Sequence, residues 1–271
     1  MWKEPGKGRG GIIRAQFQLM AATLCLACLF FLWPMAAVQK PSTDQGDARG
    51  TLGGQAGDKI PDLSGVWNRH PPKSERSYSG WAFMEGEPPM TSWAEKKYKE
   101  AKSTFGPRAV PVAESNSPDY NCLPPGVPYI YFRPHPFEFV QAPGRVIMLF
   151  EYDHYVREIY TDGRKHPPDL DPSWMGNSIG WYEGDTLVVD TVGFNDKTWL
   201  DRVGHPHSDE LHLVERFRRM NHDTLTDAIT IDDPKAYTKP WNVTLHFELK
   251  PSWDIGEFVC EEMLANARKH K

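Results

Sequence analysis

The chain has 271 residues, with 31 Lys and Arg against 36 Asp and Glu, a net charge of -5 and a pI near 6.1. That acidic balance, with no basic patch between the two termini, argues against nucleic acid as the main partner. The 24 Pro and 22 Gly argue against long helices, while 12% aromatic residues including 10 Trp suit a single β-rich domain with an aromatic interior.

Lys3, Lys7, Arg9 and Arg14 make a basic start, and Leu19 to Val38 then carries no charge. With Ala36 and Ala37 after Pro34, residues 1–38 read as a cleaved signal peptide or an uncleaved signal anchor. Cys28 after Ala27 hints at a lipoprotein box, but the apolar run continues through Leu29 to Trp33, which favours the first two readings. The expected location is periplasmic or extracellular, and residues 19–38 are the sole membrane contact, as anchor if uncleaved. Cleavage removes four bases and one acid, leaving -5 - 3 = -8. Residues 39–60 are polar and Gly-rich, a flexible linker, and residues 61–271 form the domain. Cys122 and Cys260 are the two cysteines left in it, and in an oxidising compartment they are expected to form a disulfide.

Order begins at Pro61–Trp67, and residues 68 to 135 are Pro-rich. One short helix is predicted over Ser92–Ser103, with Ser92 as cap and Glu95 completing a capping box. From Phe137 the chain reads strand after strand: FEFVQA, RVIMLFEY, HYVREIYT, NSIGWYE, TLVVDTV, ELHLVERFRR, DTLTDAITI, WNVTLHFEL and EFVCEEM, most bounded by turn residues. Short links between them predict an all-β antiparallel meander closing into a barrel with long Pro-rich loops; a two-sheet sandwich is the alternative. Gly65-x-Trp67 resembles the Gly-x-Trp that opens lipocalin barrels, whose Trp plugs one end, so the barrel is expected to be lipocalin-like (calycin-type).

Period-two alternation assigns faces. Glu215 shares a face with Leu211, Leu213 and Phe217, and Asp227 shares one with Leu225, Ile229 and Ile231, so both carboxylates are expected inside. Asp190, between Val188 and Val192, is placed with them. Arg157 or His154 is the expected counter-charge, and His246 falls outside. Such a set reads either as a structural ion-pair network fixing register or as a ligand cavity with an acid/base pair. Tyr131, in a Pro-rich approach with Tyr129 and Phe132, and Trp181 and Trp199 are the aromatic candidates for lining that cavity; a cover over one barrel end is the other reading of the approach.

The connection between TLVVDTV and ELHLVERF carries Asp201, His205 and His207. A histidine beside a carboxylate moves protons near neutral pH, so His205, His207, Asp190 and Glu215 are the candidate catalytic groups. The His205-x-His207 pair also suits a metal ligand set if a third ligand joins it, although no cofactor is expected. Ser208 lacks a nucleophile elbow.

The stretch EYDHYVREIYTDGRKHPPDLDPSWMGNSIGWYEGDTLVVDTVGFNDKTWLDRVGHPHSDELHLVERFRR, with CLPPGVP before it and TIDDPKAYTKPW after it, resembles a large family of bacterial secreted proteins of unassigned activity across residues 61 to 265. The resemblance implies an envelope or extracellular setting. The function expected from the residues is an exported barrel enzyme acting on a small, largely apolar molecule by proton transfer, as a lyase, isomerase or cyclase. The alternatives are a non-catalytic carrier for such a ligand, a metal-dependent hydrolase using the His-x-His loop, and an envelope interaction protein.

Overall fold

Alternating apolar and polar residues carry the chain into nine strands that pair in sequence order around a closed barrel. The computed structural model describes residues 60–75 and 78–269; the predicted signal segment and the linker up to residue 59 lie outside the described residues. The strands are β1 (Gly65–Arg69), β2 (Phe137–Ala142), β3 (Arg145–Phe150), β4 (Val156–Tyr160), β5 (Asn177–Glu183), β6 (Thr186–Val192), β7 (His212–Arg219), β8 (Thr224–Asp232) and β9 (Trp241–Leu249). Pairing of Trp67 with Leu249 closes the ring between β1 and β9. Closure leaves no unpaired edge along the sheet, which is why a β-rich chain tolerates such apolar strands.

The hairpins follow local turn chemistry. Pro143–Gly144 joins β2 to β3 with Gly144 at φ +75°, and Gly184–Asp185 joins β5 to β6 with Gly184 at φ +59°. The expected all-antiparallel order fails at one place: β4 and β5 run parallel, through only Ile159–Ser178 and Tyr160–Ile179. A parallel pair cannot be joined by a tight turn, and this accounts for the long connection 161–176. Beyond those two pairs the strands splay around a cleft of about 310 Å³ that Arg157, Asn177 and Ser178 line.

Among the described residues there are two α-helices, α1 (Ser92–Glu100) and α2 (Cys260–Lys269), and none is long and apolar enough to cross a membrane. The α1 cap is Thr91, not Ser92: its Oγ1 accepts from the Ala94 amide at 3.3 Å. The run EFVCEEM, read above as a strand, instead starts α2. Glu261 and Glu262 favour a helix N-terminus, and the Cys260 amide donates to Asp153 Oδ1 at 2.7 Å. The Cys122–Cys260 disulfide is present and ties α2 to the Pro-rich segment.

Phe137, Phe139, Met148, Leu213, Phe217, Leu225 and Phe247, all buried, fill the barrel interior, each contributing about 1.5–3 kcal/mol of transfer free energy. Trp67 is fully buried with its indole N–H on the Leu63 carbonyl at 2.9 Å. The turn Tyr129–Phe132 covers one end and inserts Tyr131 among Phe137, Phe150 and Phe247. It is a plug, not an entrance.

Candidate functional site

The polar groups assigned to one shared interior separate into distinct clusters. Inside the barrel, Arg157 on β4 and Glu215 on β7 form a two-pronged ion pair, with both side chains almost wholly buried. Arg157 also donates to Ser178 Oγ at 3.1 Å, Thr191 Oγ1 at 2.9 Å and the Tyr131 hydroxyl at 2.8 Å, while that hydroxyl donates to Glu215 Oε1 at 2.8 Å. Asp227 lies beside this pair, and burial, then the Glu215 charge, pushes its carboxyl well above the usual carboxylate range. Its Oδ1 accepts from the Arg216 amide at 3.2 Å. The inward expectation for Glu215, Asp227 and Arg157 therefore stands. With Arg157 engaged on all three guanidinium nitrogens, the cluster is a structural lock on strand register.

Asp190 is a correction. The inward face of β6 is Leu187, Val189 and Thr191, so Asp190 points outward. There its Oδ1 accepts from His212 Nε2 at 3.0 Å and His166 Nε2 at 3.2 Å. The His212 bond holds the Asp190 carboxyl below its usual range and raises the His212 ring in return. His154 is likewise outside the barrel, in a turn at φ +51° with Nε2 on the Gly256 carbonyl at 2.8 Å. Trp181 is an exposed residue of β5 whose indole N–H donates to Glu183 at 2.8 Å. Trp199 bridges to Pro206 within the β6–β7 connection. None of these four lines the interior.

The β6–β7 connection places His205 and His207 in separate environments. His207 is neutral: Nδ1–H donates to the Ser208 carbonyl at 3.1 Å and Nε2 accepts from the Thr198 hydroxyl at 2.9 Å. Burial pushes its pKa down. Ser208 gives its amide and hydroxyl to Asp233, at 2.6 and 2.7 Å, which pins this connection to the one between β8 and β9. The two imidazoles thus face different partners and do not form a ligand pair; among the described residues no group of three His, Cys, Asp or Glu side chains is arranged to hold a metal.

His205 is the chemically distinctive group. Asp201 Oδ1 accepts from the amides of Val203 and His205 at 3.2 and 3.3 Å, and Gly204 takes φ +97°, so the segment curls the imidazole back onto its own acid. His205 Nδ1–H donates to Asp201 Oδ2 at 2.6 Å, and Nε2–H donates to Glu87 Oε2 at 2.8 Å. Asp201 is fully buried, His205 nearly so, and the Glu87 side chain is 53% exposed. Burial opposes the charged ring, but Asp201 and then Glu87 outweigh it, and the His205 pKa is pushed up to about 9. The same hydrogen bond lowers the Glu87 pKa.

Tyr98, aimed from α1, stacks on the His205 ring at 4.5 Å and donates its hydroxyl to Glu87 Oε1 at 3.0 Å. The Arg108 guanidinium lies 3.6 Å over the Tyr98 ring. Burial first, with Arg108 opposing, pushes the Tyr98 hydroxyl up to about 12. His205, Glu87, Trp81, Met84 and Val203 line a cleft of about 250 Å³. Glu87 and Tyr98 also line a neighbouring cleft of about 410 Å³, with Pro88 and Met90. Asp201 was legible in the sequence only as a residue of the same connection as His205, not as its partner. Glu87 and Tyr98 were not: Glu87 lies 118 positions from His205 in a Pro-rich run with no local mark.

Comparison of the chain with protein-family models, with curated proteins and with solved structures returns no match.

Proposed function

We propose that the chain is an exported barrel protein whose Asp201–His205–Glu87 relay transfers a proton to a small, largely apolar molecule bound in the clefts beside α1. The observation that carries this reading is a buried imidazolium with its inner nitrogen fixed by a buried carboxylate and its outer N–H covered by a half-exposed one. Glu87 is the displaceable member. A substrate oxygen that takes its place receives the Nε2–H, and Asp201 keeps the ring oriented throughout. His205 then acts as a general acid, and Glu87 is placed to accept a proton from the same molecule. The apolar walls, Trp81, Met84 and Val203, supply the affinity that such a site needs. The disulfide and the basic-then-apolar start favour an oxidising, extracytoplasmic setting.

A carrier without catalysis is the second reading, favoured by one observation: both His205 nitrogens are already satisfied. Proton transfer is testable before the substrate is identified. The mature protein is incubated in D₂O with a panel of small ketones and phenols bearing apolar bodies, and exchange at carbon is followed by NMR. The expected result is exchange catalysed by the wild type and lost in His205→Gln, with His205→Gln still binding the same compounds. Equal exchange rates for the two proteins across the panel sink the catalytic reading.

A further inference from the structure

Two donors close on one carboxylate at the mouth of the His205 cleft. The His205 Nε2–H reaches Glu87 Oε2 at 2.8 Å, and the Tyr98 hydroxyl reaches Glu87 Oε1 at 3.0 Å. The donors are fixed and the acceptor is not. His205 is buried and held through Nδ1 on Asp201 at 2.6 Å. Tyr98 is set on α1, with its ring stacked on the imidazole at 4.5 Å and the Arg108 guanidinium 3.6 Å from the ring centre. Arg108 is itself committed to the Tyr98 carbonyl at 2.9 Å and, more weakly, to the Val203 carbonyl at 3.5 Å, so it contributes charge here and not a bond to Glu87. The Glu87 side chain is 53% exposed and follows Gly86, at φ +85° against open space. Rotation of this one exposed side chain therefore uncovers both donors.

Charge decides what can take the place of Glu87. The imidazolium is balanced by two carboxylates, Asp201 behind it and Glu87 in front. An uncharged ligand leaves the buried ring with Asp201 alone and exchanges a charge-assisted bond for a neutral one, which is about half as strong. A carboxylate replaces Glu87 oxygen for oxygen, with the same charge and the same two donors. Glu87 and Tyr98 line both clefts, so the body of such a ligand meets Trp81 and Met84 on one side and Pro88 and Met90 on the other. Lys99 and Arg108 at the larger cleft add positive potential, which Glu95 offsets in part from 3.7 Å off Lys99.

We infer that Glu87 is an internal stand-in for the carboxylate of the ligand, and that the site takes small acids with an apolar body, held through both oxygens by His205 and Tyr98. This rests on the reading that Glu87 gives way to the ligand, and it adds the charge of that ligand and a binding role for Tyr98. Glu87 is then an autoinhibitory contact. While it covers the donors the site is closed, and the apparent affinity for an acid falls by the fraction of molecules in which the site is open.

The test is calorimetric titration of the disulfide-bonded protein with benzoate and hexanoate, with benzamide as the uncharged control, alongside NMR titration of the His205 ring. Removing the competitor should tighten binding: Glu87→Ala is expected to take benzoate or hexanoate about tenfold more tightly than the wild type, with little gain for benzamide. Glu87→Ala should also lower the His205 midpoint, and saturating benzoate should raise it again. Adding Tyr98→Phe to Glu87→Ala keeps the stacked ring and removes one donor, so benzoate affinity should fall about tenfold. The inference is overturned if Glu87→Ala binds neither acid more tightly than the wild type, if benzamide binds as well as benzoate, if benzoate leaves the His205 midpoint of Glu87→Ala unmoved, or if sodium chloride reproduces the effect. The deuterium-exchange experiment is separate. Exchange of neutral ketones without binding of acids sinks this inference alone, and tight binding of acids without exchange sinks only the catalytic reading.

Discussion

Replacing Arg157 by Met strands the Glu215 carboxylate in a fully buried site. Glu215 then loses both guanidinium contacts and keeps the Tyr131 hydroxyl at 2.8 Å. Breaking a buried pair from one side costs about 3–5 kcal/mol, a large share of the roughly 5–15 kcal/mol that stabilises a typical domain. The reverse substitution, Glu215→Gln, is expected to cost less. Arg157 retains Tyr131, Ser178 and Thr191. In addition the Asp227 carboxyl, pushed well above its usual range by burial and then by the Glu215 charge, is relieved of the second of these once that charge is gone. The double variant leaves no stranded charge, so its loss should fall short of the sum of the singles by about 2 kcal/mol. Urea unfolding at pH 7, followed by tryptophan fluorescence with the disulfide intact, measures all three. Additive losses within about 0.5 kcal/mol, or an Arg157→Met loss under about 1 kcal/mol, refute the claim that this pair locks the barrel.

Because the folded state raises His205 from 6.5 to about 9, its contribution to stability is complete below pH 6.5 and disappears as the pH rises through 9; unfolding measured across that window should show a decline that His205→Gln flattens. Glu87→Gln should lower the His205 titration midpoint seen by NMR, and an unchanged midpoint contradicts the relay geometry. Reducing Cys122–Cys260, 138 positions apart, should remove about 5 kcal/mol in the chain-entropy model, read as a drop in melting temperature with reductant. Gly126→Ala is expected to be far more damaging than Gly163→Ala. Both glycines have positive φ, +70° and +81°, but a Cβ at 126 collides with the Trp174 carbonyl while one at 163 meets open space. The latter should cost only the left-handed backbone penalty of about 1 kcal/mol, and equal melting temperatures would contradict this.

Strand periodicity is a local property, and it was enough to define Asn177–Glu183, Thr186–Val192 and Trp241–Leu249 to the residue and to turn Glu215, Asp227 and Arg157 inward. Where both faces of a strand are nearly equally apolar, as around Asp190, alternation loses its power, and the neighbours His166 and His212 decided the outcome. The C-terminal run was short enough to suit strand or helix; the Glu261–Glu262 start and the disulfide selected helix. Nothing local marks the parallel step between β4 and β5, because it depends on where a long connection sets the next strand down. The Glu87–His205 grouping has the same origin. Side chains far apart along the chain meet only when barrel closure stacks the loops, so their charges acquire partners in three dimensions alone.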